Sequence, residues 1–147
     1  MNFKILTLFP ELFPGPLSHS IIGAALKKKI FSIETINIRD FANNRAKTVD
    51  DKPFGGGAGM ILKPDVLQRA YDFSLKKKKK TKTIYLSPSG GKLNHDKLIE
   101  INKYKSIIII CGKYEGIDSR FIQHNDIEEI SVGDYVLSGG EIASFIL

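Results

Sequence analysis

The chain has 147 residues, 42% of them hydrophobic, and a formal net charge of +6. This length predicts one domain, residues 1–147, that buries a core of its own, and the basic balance favours a polyanionic partner such as RNA. Because no run approaches the roughly 20 apolar residues of a membrane span and the start lacks a secretory signal, we expect a soluble, cytoplasmic protein with no membrane partner.

Strand and helix patterns alternate along the chain. Apolar or alternating stretches predict strands at residues 3–9, 31–38, 83–86, 106–110 and 127–132. Helical periodicity predicts helices at residues 19–29, 64–75, 94–102, 117–123 and 141–147. Ser18 and Asn94 are the predicted N-caps of the first and third helices. The alternation predicts an α/β fold with a mostly parallel sheet and helices on both faces.

Apolar residues fall on one face of two of these helices. In the first helix these residues are Ile21, Ile22, Ala25 and Leu26. In the second helix Val66, Leu67, Ala70 and Tyr71 form a stripe that is predicted to be buried.

Residues 39–62 show no periodicity and contain Pro53 and the run GGGAG at 55–59. A structureless segment of this length in a compact domain is usually functional or disordered. The glycines and the adjacent aromatic Phe54 favour a functional loop.

Three glycine-rich segments follow successive predicted strands: YLSPSG (85–90), CGKYEG (111–116) and VGDYVLSGGE (132–141). The carboxyl ends of parallel strands form the ligand-binding edge of such sheets, so these segments are expected to meet there. Glycine permits a ligand to approach the backbone closely, and nearby leucines and tyrosines would supply apolar walls. One such segment is more often an ordinary turn, but three on successive strand ends favour a nucleoside-type cofactor pocket.

Other kinds of site fit the sequence less well. GGGAGM (55–60) is not a dinucleotide-binding G-x-G-x-x-G, and SGGK (89–92) lacks features of a phosphate-binding P-loop. His19, His95 and His124 match no metal-ligand spacing, so no metal site is expected from them. Cys111 is the single cysteine and lies in an apolar run, which favours a buried structural thiol over a nucleophile.

Four segments together closely resemble the bacterial tRNA (guanine-N1)-methyltransferase family, TrmD: RAKTVDDKPFGGGAGM (45–60), YLSPSG, CGKYEGIDSR (111–120) and EEISVGDYVLSGGE (128–141). The resemblance covers essentially the whole chain but only the amino-terminal part of the family's usual length. It implies a SPOUT-class fold with a C-terminal trefoil knot, S-adenosylmethionine (SAM) as cofactor, and a homodimer. It also implies methylation of N1 of the guanosine just 3′ of certain tRNA anticodons.

The resemblance carries site residues over to matching positions. The implied SAM contacts are Leu86, Ser87, Pro88, Gly112, Tyr114, Glu115, Val132, Gly133, Tyr135, Leu137, Gly139 and Gly140. The residues implied to meet the target base are Asp50, Pro53, Phe54, Gly55, Gly56 and Gly57.

Guanine N1 holds a proton at neutral pH, so methyl transfer calls for a general base and for stabilisation of charge on O6. The resemblance suggests Glu115 as the carboxylate that orients the base or holds Mg²⁺, which is a further candidate cofactor. The alternative interpretation of Glu115 is a solvated loop carboxylate without a catalytic role. The resemblance places the family's catalytic aspartate and its partner arginine beyond the position that matches Leu147. We therefore expect a fragment that binds SAM weakly and does not turn over.

Two alternatives stay open from the sequence: a non-catalytic SAM- or RNA-binding or dimerisation remnant, and a nucleotide-binding domain of NAD type. The lysine run at 76–80 is either a solvated loop or a phosphate-contacting patch, and Lys27–Lys29 suit the carboxyl end of the first helix. Asp118 and Arg120 are predicted to pair with each other.

Overall fold

The structure is a computed structural model that describes residues 1–75 and 80–147. Of the predicted lysine run, only Lys80 lies within the described residues. The strands are β1 (Asn2–Thr7), β2 (Ser32–Asn37), β3 (Asp50–Asp51), β4 (Ile61–Leu62), β5 (Thr81–Lys92), β6 (Ser106–Cys111) and β7 (Glu128–Ser131). The α-helices are α1 (Ser20–Lys27), α2 (Pro64–Ser74), α3 (His95–Ile101), α4 (Ser119–His124) and α5 (Gly140–Ile146).

Five strands form one sheet in the order β2-β1-β6-β5-β7, and every neighbouring pair in it is parallel. Asn2 lies beside both Ser32 and Ser106, and Ser106 lies beside Thr81, so four strands begin level with one another. The predicted α/β fold with a parallel sheet is confirmed. The short strands β3 and β4 pair separately as an antiparallel hairpin.

Strand β6 shows why both faces of the sheet are covered. Its residues alternate between two hydrophobic clusters, with Ile108 and Ile110 in one and Ile107 and Ile109 in the other. Side chains of α2 and α4 complete the first cluster, and side chains of α3 and α5 complete the second. A continuous apolar strand is the pattern expected when helices pack on both sides.

The apolar face of the first helix is only partly covered. Ile21 is 85% exposed and Ile22 is 47% exposed, while Gly23 is the buried residue of α1. A Cβ at Gly23 would lie 2.1 Å from the carbonyl oxygen of Ser18, because the helix packs closely on the 3₁₀ turn before it. That turn also displaces the predicted cap: Ser18 donates its hydroxyl to Gly15, and α1 begins after His19.

The second and third helices follow the prediction closely. Val66, Leu67, Ala70 and Tyr71 of α2 are all buried. The side chain of Asn94 accepts a hydrogen bond from the backbone of Lys97 and caps α3.

Strand β5 is longer than the predicted four residues because its pairing with β7 resumes after an interruption. Leu86 and Gly91 of β5 both pair with Ile130 of β7. Residues 87–90, which lie between them, therefore bulge out of the strand. The predicted loop of YLSPSG is therefore a bulge within a strand. Among the described residues, no helix is long and apolar enough to cross a membrane.

Candidate functional site

A pocket of about 310 Å³ opens at the carboxyl ends of β5, β6 and β7. Its walls are the bulge of β5, the segment 112–116 after β6 and the segment 132–140 after β7. These strands lie side by side in the order β6-β5-β7, which brings the three predicted segments together. The position agrees with the general rule that open parallel sheets bind ligands at their carboxyl edge.

The bulge and the third segment hold their shape through short local hydrogen bonds. The hydroxyls of Ser87 and Ser89 lie 2.8 Å apart, and the hydroxyl of Ser131 donates to the carbonyl of Gly133 at 2.9 Å. A Cβ at Gly90 would lie 2.5 Å from the backbone of Glu129. A glycine is therefore required at the end of the bulge, where β5 begins to pair with β7 again.

Tyr85 supports the second segment from below. It is buried, and a Cβ at Gly112 would lie 2.8 Å from its ring and its hydroxyl oxygen. The backbone of Ile117 donates a hydrogen bond to the same hydroxyl. Burial, with a smaller contribution from the charge of Glu129, raises the pKa of Tyr85 to about 12. The phenol therefore stays neutral and packs against Gly112 as an uncharged support for the segment.

The second and third segments contact each other directly. The backbone N–H of Gly140 donates to the carbonyl of Gly112 at 3.0 Å, and a Cβ at Gly140 would lie 2.7 Å from the Cα of Cys111. The ammonium group of Lys113 donates to the carbonyl of Ser138 at 2.6 Å. These contacts fix the start of α5 against the end of β6.

The structure brings all twelve residues implied to contact the cofactor into the lining of this one pocket. Tyr114 holds a left-handed backbone with φ of +59°, a conformation costly for a residue with a side chain and frequent at functional sites. Sequence reasoning missed part of the lining: Tyr85, Lys113, Gly116, Ile130, Ser131, Val136, Ser138 and Ala143. All of these except Ala143 lie within the quoted segments, so their position in the sequence could have identified them.

Glu115 joins the pocket to the glycine-rich segment 53–60. Its backbone N–H donates to the carbonyl of Met60 at 2.9 Å. Its exposed side chain lies over Gly59, where a Cβ would be 2.4 Å from Cγ of Glu115. Gly59 also has φ of +84°, a backbone conformation that favours glycine. The carboxylate therefore stands between the two segments.

The residues implied to meet the target base lie in the hairpin between β3 and β4. Asp50 pairs with Leu62, and the N–H of Gly56 donates to Pro53 in a tight turn. A Cβ built at Gly55, Gly56 or Gly57 would meet no described atom within 4 Å. This turn is therefore open to a partner molecule.

Phe54 projects from the same hairpin and is 87% exposed. The guanidinium of Arg120 lies over its ring, 4.6 Å from the centroid. Asp118 holds this guanidinium with a hydrogen bond of 2.5 Å, which confirms the predicted pairing, and the pKa of Asp118 is lowered by Arg120. An aromatic ring with a fixed cation behind it can stack on a nucleobase.

Cys111 is buried, whereas the three histidines lie on the surface. Burial raises the pKa of the Cys111 thiol, which lies in the core beneath Gly140, as expected for a structural cysteine. His19, His95 and His124 are exposed. Within residues 1–75 and 80–147, no group of three or more His, Cys, Asp or Glu side chains is arranged to hold a metal ion.

Comparison with known proteins gives the context of this pocket. The sequence model of the family described as tRNA (Guanine-1)-methyltransferase TrmD matches residues 1–147. The tRNA (guanine-N(1)-)-methyltransferase of Ehrlichia canis (strain Jake) is 54% identical over 147 residues, which are 100% of this chain and 63% of the relative. The enzyme of the same name from Zymomonas mobilis is 49% identical over 144 residues, which are 98% of this chain and 58% of the relative.

A third relative of that name, from Wolbachia pipientis wMel, is 49% identical over 99% of this chain and 62% of its own length. The chain therefore spans about three fifths of the length of these curated relatives. The family match extends over every segment that lines the pocket. On these grounds the chain belongs to the tRNA (guanine-1)-methyltransferase family TrmD.

Proposed function

We propose that the chain carries the cofactor-binding half of an enzyme that methylates N1 of a guanine in tRNA, on the 3′ side of the anticodon, with SAM as methyl donor. The observation that carries the proposal is the convergence of three glycine-rich segments on one pocket in a domain of this family. The names of the relatives support the choice of reaction and of tRNA.

The pocket suits a nucleoside cofactor in size and chemistry. Its volume of about 310 Å³ lies at the lower end of the range for small-molecule sites. Leu86, Leu137 and Tyr135 offer apolar surface for an aromatic ring, and the glycine-rich segments offer backbone donors and acceptors. Gly112 and Gly140 allow the two segments to pack against Tyr85 and against the backbone of Cys111, where the Cβ of a larger residue would clash.

When bound, SAM supplies a methyl group activated by its sulfonium. The protein's part is to hold the guanine next to it, and correct placement of two reactants accounts for roughly 7–11 kcal/mol of a barrier at most. Glu115 lies between the pocket and the glycine-rich hairpin, where its carboxylate would accept hydrogen bonds from the N–H groups of the guanine edge. We assign the removal of the N1 proton to no residue described here.

The exposed hairpin is the proposed approach for the target base. Phe54 would stack on a nucleobase, and Gly55, Gly56 and Gly57 leave the backbone open to it. Asp50 and Pro53 hold the base of the hairpin turn. A role for Mg²⁺ at Glu115 stays a prediction.

We also propose the trefoil knot and the homodimer of this fold class. The knot is supported by the return of α5, which follows β7 at the sheet edge yet packs against β5 and β6. The dimer is supported by exposed apolar side chains on α1, on α5 and on the turn that contains Phe13, which contacts Phe145 of α5 at 5.0 Å between ring centroids. These exposed side chains are Leu12, Ile21, Ile22, Ile142 and Ile146. A cytoplasmic location belongs to the same proposal.

Calorimetric titration of the chain with SAM, and separately with NAD, tests the cofactor. We expect saturable binding of SAM and none of NAD; the absence of SAM binding would overturn the proposal. Gly140→Ala should weaken SAM binding at least tenfold, because its methyl group would lie against the backbone of Cys111. Gly55→Ala, in open space, is the matched control.

Incubation with SAM and a tRNA transcript, with N1-methylguanine measured by mass spectrometry, tests the reaction. The same transcript with adenine at the target position is the control. That these 147 residues bind SAM without turning over stays a prediction that this assay decides. SAM and tRNA binding without product would favour the non-catalytic alternative for this chain.

A further inference from the structure

Exposed lysines collect at the amino-terminal edge of the sheet, opposite the pocket. Lys29 precedes β2, Lys80 directly precedes β5, and Lys103 and Lys105 precede β6. All four are exposed. We call these four residues the amino-edge lysines. A six-residue strand such as β6 is roughly 20 Å long, so they lie about that far from the pocket.

The strand register places these lysines in one row. Asn2 lies beside Ser32 on one side and beside Ser106 on the other, and Thr81 follows next to Ser106. The backbone N–H of Asn2 donates to the carbonyl of Lys105 at 2.9 Å, which fixes that connection against β1. Four strands at about 4.8 Å spacing make the row roughly 14 Å wide.

Tyr104 adds an aromatic ring to this row. The ammonium group of Lys80 lies over the Tyr104 ring, 5.2 Å from its centroid. Lys103 and Lys105 flank the same ring in the sequence. The contact therefore holds the ammonium group of Lys80 beside the segment that carries Lys103 and Lys105.

Two carboxylates of α3 and β7, the elements that flank this edge, are already paired with other lysines. Glu128 lies 2.7 Å from the ammonium groups of both Lys82 and Lys97, and Glu100 lies 2.6 Å from that of Lys97. In the described part of the chain, no carboxylate lies within ion-pair distance of the amino-edge lysines. The other acidic residues of the neighbouring elements are Glu34, Asp72, Asp96, Asp126 and Glu129, and none of them forms an ion pair with an amino-edge lysine. The row is therefore an uncompensated positive surface.

We propose that the amino-edge lysines bind phosphates of the tRNA at a distance from its target base. The choice of tRNA as the partner rests on the proposed function. Lysines spread along strand-connecting segments suit a phosphate backbone, whereas a lipid surface favours an amphipathic helix that presents both cations and apolar side chains. A helical stem that passes along one face of the domain would connect the pocket to this edge.

The test compares two triple variants at the same three positions, one that removes the charge and one that keeps it. Lys80→Gln/Lys103→Gln/Lys105→Gln neutralises the proposed surface, and Lys80→Arg/Lys103→Arg/Lys105→Arg preserves its charge. Fluorescence anisotropy with labelled tRNA is measured over a range of salt concentrations. Each lysine that contacts a phosphate adds about 0.7–0.9 to the slope of log affinity against log salt.

We expect the amino-edge variant to bind tRNA at least tenfold more weakly at low salt, with a slope reduced by about 2. The control variant should change the affinity less than threefold. An unchanged slope, or an equal loss in both variants, would overturn the proposal. So would lysine-dependent binding to vesicles containing phosphatidylserine without lysine-dependent binding to tRNA.

Titration with SAM separates this proposal from the proposed function. Both triple variants should bind SAM as the unmodified chain does, which also shows that they fold. If SAM does not bind but tRNA affinity still depends on the amino-edge lysines, the proposed function fails and this inference stands. If SAM binds and the affinity for tRNA does not depend on these lysines, only this inference fails.

Discussion

The hydroxyl of Thr7 donates a 2.7 Å hydrogen bond to the carboxylate of Glu141, and both side chains are buried. This bond joins the end of the first strand to the first turn of the last helix. The same Thr7 oxygen accepts the backbone N–H of Phe9 at 3.0 Å. The second carboxylate oxygen lies under Gly139, where a Cβ would be 2.5 Å away. Glu141 therefore supports the third pocket segment from behind.

Thr7→Val should lower the free energy of unfolding by about 1–3 kcal/mol, because a buried carboxylate loses its hydroxyl donor. Urea denaturation followed by circular dichroism measures this loss. Thr48→Val is the control, because Thr48 is exposed, and it should change the free energy by less than about 0.5 kcal/mol. Equal effects of the two variants would show that the Thr7–Glu141 bond contributes nothing to stability.

Two adjacent glycines in the bulge of β5 should respond very differently to alanine. Gly90→Ala would place a methyl group 2.5 Å from the backbone of Glu129, whereas at Gly91 the nearest atom is 3.8 Å away. We expect the Gly90 variant to lose about 1–3 kcal/mol of stability and at least tenfold in SAM affinity. The Gly91 variant should keep both within error. Denaturation and calorimetry on the pair check this, and a reversed order would contradict the described register shift.

The ion pairs of Glu128 predict a dependence of stability on pH. Burial opposes the charged form of Glu128, but Lys82 and Lys97 outweigh it and lower its pKa below the ordinary 4.5. A carboxylate with a lowered pKa contributes stability above its unfolded pKa, and that contribution is lost as pH falls through the folded pKa.

Glu128→Gln should therefore be less stable than the unmodified chain near neutral pH, with the difference shrinking between about pH 5 and pH 3. Denaturant unfolding at several pH values measures the difference. Glu34→Gln, with an exposed carboxylate on β2, controls for a general loss of negative charge. A difference that stays constant down to pH 3 would disprove the link to ionisation.

Cys111 should be unreactive in the folded chain. Its thiol is fully buried, and burial raises its pKa, so almost no thiolate reaches solvent at pH 8. A disulfide reagent such as DTNB should label it only after unfolding, and at least 100-fold faster then. Rapid labelling of the native chain would mean that α5 opens readily away from β6.

The sequence predicted those parts of the fold that depend on local pattern. The alternation of strands and helices, the buried run at Ile107–Ile110 and the cap at Asn94 all follow from neighbouring residues. The exposed face of α1 did not, because amphipathicity identifies an apolar stripe but not what covers it. The described residues leave Ile21 almost fully exposed and cover only about half of Ile22.

The position of the pocket could be predicted from the glycine-rich segments and the order of the strands. The residues that support the pocket could not be predicted. Thr7 and Glu141 are 134 residues apart, so no local pattern could pair them. Tyr85 reads as one more apolar strand residue, and its role under Gly112 depends on the close packing of β5 and β6. The bulge of β5 could not be predicted either, because the shift arises from its pairing with Ile130.

The contacts of Glu115 have a thermodynamic consequence for the two halves of the site. Its backbone is bonded to Met60, and its side chain packs on Gly59, so the pocket and the hairpin share one mechanical connection. A ligand that restrains Glu115 from the pocket side also restrains the hairpin. The hairpin then loses less conformational entropy when its own partner binds. If the pocket ligand raises the affinity for the hairpin's partner by some factor, linkage requires that this partner raise the affinity for the pocket ligand by the same factor.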